Sequence, residues 1–256
     1  MIQMQMSLGE VLRLTLFGTS HGPRVGAFIE GVPAGISIDY HNLETLMSER
    51  RPGGRYASKR REPDKVEFIS GIDNGVTTGG KIEISIKNKD VRTKDYSFLP
   101  DHPRPGHQDM VMMKKTDGEA DLRGGGMSSA RLTAPIVAAS AIITPLIQQL
   151  GININAHVCA IGIVDSKPIS ECEPKWATEE CKDIRCQDEK AALEMIKVVE
   201  QHRMNLDSIG SKVELQISGM PMGIGEPWFD GLEPYLARAM MSIPAARGVE
   251  FGRGFS

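Results

Sequence analysis

Aromatic residues are scarce, only 5% of the 256 residues, with two tryptophans among them. Within the arginine-rich residues 49–62 only Tyr56 offers an aromatic face, which weakens a single-stranded nucleic-acid platform there, where successive bases would stack. Neither sign of charge dominates. With 33 acidic and 30 basic side chains the formal charge is -3, which excludes a globally basic nucleic-acid coat and a strongly acidic solvating chain. Any anion site is therefore local. The four cysteines, Cys159, Cys172, Cys181 and Cys186, follow no CxxC zinc spacing and no dense secreted disulfide framework, so they are expected as free thiols of a reducing cytoplasm. Long apolar runs are missing too. The longest, residues 134–147, is broken by Pro135, Ser140 and Thr144 and falls short of the roughly 20 residues that span a bilayer. It reads as a helix buried in protein, with Pro145 expected to kink or end it. The first fifteen residues carry Glu10 and Arg13 within their apolar stretch and lack a basic segment followed by a small-residue cleavage site, so no signal peptide is expected. A cytoplasmic protein with no membrane role and no nucleic-acid partner is the resulting expectation.

Against these absences stand 40% hydrophobic and 25% charged residues, a balance that buries a core. One α+β domain over 1–256 is expected. Residues 25–29 and 81–86 read as short strands bounded by glycine and charge, and residues 42–49 as a helix capped by Asp39 or Asn42. Residues 152–164 read as a strand or strand pair, 165–189 as an exposed excursion without periodicity, and 189–203 as a helix. A faint repeat links Phe28-Ile29-Glu30-Gly31-Val32-Pro33-Ala34-Gly35-Ile36 to Gln216-Ile217-Ser218-Gly219-Met220-Pro221-Met222-Gly223-Ile224, each a strand, a Gly-x-Pro-x-Gly-Ile turn and then a helix. Two such units predict a pseudo-symmetric fold, and the second copy looks incomplete at the C-terminus.

Four strings could carry chemistry. Phe17-Gly18-Thr19-Ser20-His21-Gly22-Pro23 sets an imidazole and two hydroxyls on a glycine-flanked loop, where histidine can exchange a proton near neutral pH. Glu49-Arg50-Arg51-Pro52-Gly53-Gly54-Arg55-Tyr56, running on to Lys59-Arg60-Arg61-Glu62, clusters guanidinium groups that can fork onto phosphate or carboxylate. A solvated charge run and an RNA-binding patch are the alternatives. Arg104-Pro105-Gly106-His107 is a rigid turn presenting an arginine and a histidine, while His41, His102, His157 and His202 have no polar cluster beside them in sequence. Arg123-Gly124-Gly125-Gly126-Met127-Ser128-Ser129-Ala130-Arg131 precedes the apolar helix. Its glycines, hydroxyls and helix start suit an anion cradle, but it is neither a Walker loop nor a dinucleotide fingerprint.

These strings in this order, with Glu62-Pro63-Asp64-Lys65-Val66, Asn88-Lys89-Asp90, Arg92-Thr93-Lys94-Asp95-Tyr96, Gly223-Ile224-Gly225-Glu226-Pro227 and Met241-Ser242-Ile243-Pro244-Ala245, resemble chorismate synthase over nearly the whole chain. The resemblance implies a shikimate-pathway lyase converting 5-enolpyruvylshikimate 3-phosphate to chorismate and phosphate by a 1,4-elimination that requires reduced FMN, with NADPH or a flavin reductase as the source of reduction. It implies a β-α-β sandwich of antiparallel sheets enclosing helices, assembled as a homotetramer. It assigns His21 to protonating the departing phosphate and His107 to the flavin's edge. Arg50, Arg51, Arg55, Arg104 and Arg131 fall to the substrate, and Met127, Ser128 and Ser129 to FMN, with Met127 standing where the family has arginine. The later flavin-side motifs of the family do not occur here. A catalytically inactive phosphate- or flavin-binding fragment is the alternative. No metal is implied.

Overall fold

The structure, a computed structural model, describes residues 4, 6–51, 55–56, 60–91 and 93–254. Pro52, Gly53, Gly54 and Lys59 of the arginine-rich string lie outside these residues, as does Arg92. The chain clusters into two compact units: Met1–Pro52, Arg60–Pro145 and Gly223–Ser256 form the first, and Gly53–Lys59 with Leu146–Met222 the second.

In the first unit, β1 (Ser7–Leu8), β2 (Arg13–Gly18) and β3 (Arg24–Glu30) precede β4 (Ala34–Ser37) and helix α1 (Tyr40–Arg50). Strands β5 (Val66–Ser70), β6 (Ile72–Asp73), β7 (Val76–Thr78) and β8 (Ile82–Lys87) follow. Five of these strands form an antiparallel sheet in the order β1-β2-β3-β8-β5, and β4-β7-β6 form a small second sheet. The central pairing places Val25 against Ile86, Ala27 against Ile84 and Ile29 against Ile82, and all six side chains are sealed from solvent. Period-two alternation aims them at one face, and each buried isoleucine contributes about 1.5–3 kcal/mol of hydrophobic stabilisation. Helix α1 starts where Asp39 Oδ1 accepts the Asn42 N–H at 2.9 Å, so Asp39 is the cap, and it buries Leu43 and Met47.

Helix α2 (Asp109–Lys115) and helix α3 (Thr133–Gln149) follow. The stretch Arg123–Gln149 is long and apolar enough by length and composition to cross a membrane, but it opens in tight turns with three non-helical glycines. Its Arg131 is buried, and Ala134, Ala138, Ala141 and Ile142 are covered by protein. Pro145 does not end α3, which runs on to Gln149. The missing N–H removes one hydrogen bond close to the natural end of the helix, and the chain's two units divide at this peptide, between Pro145 and Leu146.

The second unit holds β9 (Asn153–Ile161) and β10 (Val164–Asp165), which form a strand pair. Helices α4 (Glu179–Ile184) and α5 (Glu189–Met204) and strand β11 (Ser211–Ser218) complete it. The sheet order is β10-β9-β11. Segment 165–189, expected as an exposed excursion, carries α4 and seats Cys181, Ile184 and Cys186 against Ala192 and Met195 of α5. A six-residue helix is too short to show periodicity, which is why the sequence concealed it. All four cysteines are free thiols. His157, expected without polar company, is buried, accepts the Gln187 N–H at Nδ1 and lies 3.4 Å from Glu214. Helix α6 (Leu232–Met241) returns to the first unit after the second repeat copy.

Candidate active site

Antiparallel pairing brings several loops to one end of the large sheet. Strand β2 finishes there at Gly18 and β3 starts at Arg24. Strand β8 finishes at Lys87 and β5 starts at Val66, with Arg24 opposite Lys87 and Val66 opposite Ile86. The Thr19–Pro23 turn, residues 60–65 and residues 88–90 must therefore be neighbours. Asn88 ties the Thr19–Pro23 turn to its own segment and to Arg131: its Nδ2 donates to the carbonyls of Thr19 at 3.0 Å and Gly22 at 2.8 Å, and its Oδ1 accepts from Arg131 Nε at 2.9 Å.

Beneath this turn runs a buried ladder of alternating charge. Asp64, fully sealed, accepts Arg50 on one oxygen at 2.5 Å and Arg131 on the other. Glu62 receives Arg60 at 2.7 Å as well as the Lys89 N–H at 2.9 Å, and Arg60 reaches on to the Ser20 carbonyl at 2.9 Å. An unpaired buried carboxylate costs several kcal/mol; here Asp64 is met by two guanidinium groups and Glu62 by a guanidinium and backbone N–H groups, so the arginines are held rigidly. Glu62 and Asp64 stand in one of the family-like strings, but sequence alone gives them no role. Two carboxylates beside an arginine run and just ahead of a strand were the available signal, because a buried guanidinium requires a counter-ion.

His21 lies above the ladder, 8% exposed, edge-on to Tyr96 with ring centroids 4.8 Å apart. Ser20 Oγ donates to the Arg123 carbonyl at 3.0 Å and sits 3.1 Å from His21 Nδ1. The hydroxyl proton is thus spent on the carbonyl, so Nδ1 donates to Oγ and Nε2 of the neutral ring keeps its lone pair. Burial lowers the pKa of His21 below the usual histidine value, and Arg60 and Arg123 lower it further against the opposing pull of Asp121 and Asp90. The glycine loop closes over the ring. Gly124, Gly125 and Gly126 all have positive φ, and a Cβ on Gly124 would stand 2.4 Å from His21 Cε1, so only glycine fits. A cavity of about 480 Å³ opens beside Tyr96, bordered by Lys94, Leu99, Asp121 and Arg123.

His107 occupies the other flank of the glycine loop, where a Cβ on Gly125 would lie 3.7 Å from its Nε2. Its Nδ1 is 2.7 Å from Asp109 Oδ1. Asp109, buried, also takes Arg104 on both oxygens, Nη2 and Nε each at 2.7 Å, and the Arg104 N–H at 2.9 Å. The Arg104 hydrogen bond, against burial, holds the Asp109 carboxyl far below the usual range.

The expected site residues are thus distributed unequally. His21, Arg50 and Arg131 come together around Asn88, Asp64 and the glycine loop. Arg104 turns its fork onto Asp109 and gives a further bond to the Leu122 carbonyl at 3.0 Å. Arg51 pairs with Glu44 at 2.7 Å. Arg55 belongs to the second unit, where it pairs with Glu200. Met127 is half-buried and Ser128 exposed, its hydroxyl donating to Gln108 Oε1 at 2.7 Å. The Ser129 side chain caps the next turn by accepting the Arg131 N–H.

Fold and site together define an α+β protein with a buried imidazole set beside guanidinium groups that are paired to buried carboxylates at a sheet end. The chorismate synthase family model matches residues 12–256. Curated relatives named chorismate synthase include those of Aeropyrum pernix, 43% identical over 98% of this chain and 66% of the relative, and Methanosarcina barkeri, 42% identical over 96% and 67%. That of Porphyromonas gingivalis is 43% identical over 98% and 68%. A solved chorismate synthase crystal structure superposes with TM-score 0.72 at 25% identity, covering 95% of this chain and 70% of the other. The chain belongs to the chorismate synthase family and spans about two thirds of the length of the curated relatives it matches.

The family reading implies a flavin. Of the residues the resemblance gives to it, His107 and Ser128 are exposed, and no side chain on Gly125 stands against the His107 ring. Among the described residues no group of three or more His, Cys, Asp or Glu could hold a metal ion.

Proposed function

We propose that the protein serves the 1,4-elimination of phosphate from 5-enolpyruvylshikimate 3-phosphate, giving chorismate, in the cytoplasm and as part of a homotetramer. The observation that carries this reading is the placement of His21: a buried imidazole kept neutral by its burial and by Arg60 and Arg123. A phosphate dianion arriving there neutralises the same cations, so substrate binding raises the proton affinity of His21 just where a departing phosphate needs a proton. Asp64 holds Arg50 and Arg131 in fixed orientation, so the positive field of both is in place before substrate binds. Reduced FMN, when bound, would lend electron density to the breaking carbon–oxygen bond with no net redox change, and His107, Ser128 and Ser129 with Met127 would hold one edge of it. Met127 places no positive charge at that edge. NADPH or a separate flavin reductase would supply the reduced flavin.

The test is anaerobic turnover of the full chain with chemically reduced FMN, comparing the parent with His21→Ala. Removing a positioned proton donor lowers the rate by about 10²-fold or more; an unchanged rate removes His21 from the chemistry. Binding of substrate and reduced FMN without turnover favours the second reading, a phosphate- and flavin-binding fragment.

A further inference from the structure

We infer that Asp109 is a positioning residue for His107: it fixes the tautomer of the imidazole so that Nε2 is the proton acceptor facing the glycine loop, and Arg104 serves to hold Asp109 for that task. The inference deepens the functional reading above and rests on it for the catalytic use of His107. The geometry stands independently of that use.

The argument is one of donor and acceptor counting. Asp109 is 1% exposed and receives four contacts. Oδ2 accepts the Arg104 N–H at 2.9 Å and Arg104 Nε at 2.7 Å, while Oδ1 accepts Arg104 Nη2 at 2.7 Å and stands 2.7 Å from His107 Nδ1. A guanidinium has only protons to offer and an ionised carboxylate only lone pairs. The last contact is therefore a hydrogen bond only if Nδ1 carries the proton. The neutral ring then has its lone pair on Nε2, the atom 3.7 Å from where a Gly125 side chain would begin. Arg104 Nε and Nη2 are both engaged in this arrangement, Nη2 also with the Leu122 carbonyl at 3.0 Å, so this side of the fork stands behind the histidine and holds Asp109.

An Asp109→Asn variant reverses the logic. Its amide nitrogen at the Oδ2 position would oppose two Arg104 donors, the backbone N–H and Nε. At the Oδ1 position it opposes one, Nη2, and offers a proton to His107 Nδ1. The second arrangement has fewer conflicts, so Nδ1 becomes the acceptor and the proton moves to Nε2.

The measurement is the ¹⁵N spectrum of the full chain labelled at histidine, at a pH where the ring is neutral, with His107 assigned by a His107→Gln variant. The expected result is a protonated Nδ1 in the parent and a protonated Nε2 in Asp109→Asn, with turnover of the variant lower by about 10²- to 10⁴-fold, the range of an oriented acid–base group and of a wrong-tautomer histidine. A proton on Nε2 in the parent, or the same tautomer in both proteins, overturns the inference. The parent spectrum alone decides it if the variant does not fold. The two tautomers as expected, in a protein that never makes chorismate, support the positioning of His107 and count against the functional reading alone.

Discussion

Placing one methyl group at Gly124 tests whether the glycine loop is built around His21. Gly124 has φ near 59° and ψ near 14°, a left-handed conformation that costs a side-chain-bearing residue about 1–2 kcal/mol. The added Cβ would also meet His21 Cε1 at 2.4 Å, Nδ1 at 2.5 Å and Ser20 Oγ at 2.7 Å. None of these can retreat freely, because the ring is buried against Tyr96 and the hydroxyl is bonded to the Arg123 carbonyl. Overpacking of this kind costs a further 1–3 kcal/mol or so. Gly35 is the control: φ is 88° and nothing lies within 4 Å of where its Cβ would stand, so Gly35→Ala incurs the backbone cost alone. Urea denaturation followed by circular dichroism should therefore show Gly124→Ala losing about 2–5 kcal/mol and Gly35→Ala about 1–2. The His21 ring resonances should shift only in the former. Equal losses in the two variants, with His21 unmoved, would refute the view that the loop exists to admit this imidazole.

Two further outcomes follow from the charges. Asp64→Asn leaves Arg50 and Arg131 without their shared carboxylate and should cost about 3–5 kcal/mol by equilibrium unfolding; a loss within about 0.5 kcal/mol, the range of ordinary surface changes, would mean the ladder is not what holds the arginines. The lowered pKa of His21 means that the unfolded chain takes up this proton first as the pH falls below about 6.5. The resulting stability loss grows until the folded pKa is passed. Stability should thus decline less between pH 7 and pH 5 in His21→Gln than in the parent, and identical declines would show that His21 is not held neutral by the fold.

What was readable from sequence follows period and local chemistry. The short runs bounded by glycine and charge at residues 25–29 and 81–86 marked β3 and β8, and Asp39, one of two candidate caps, marked the start of α1. Spacing and order of the glycine, arginine and histidine strings carried the family resemblance, which the family model and the curated relatives bear out. The number of compact units was not readable, nor the fold of α4, nor which arginines gather. Arg50, Arg104 and Arg131 look alike as letters. Only antiparallel pairing, which puts the ends of β2 and β8 and the starts of β3 and β5 on one edge, sets Asp64 between Arg50 and Arg131. Arg104 is taken instead by Asp109, five residues along the same turn. A guanidinium's role is set by the carboxylate or ligand that reaches it through space, and that partner lies 14 residues from Arg50 and 67 from Arg131 along the chain. Local sequence cannot encode such a distance, and tertiary pairing decides it.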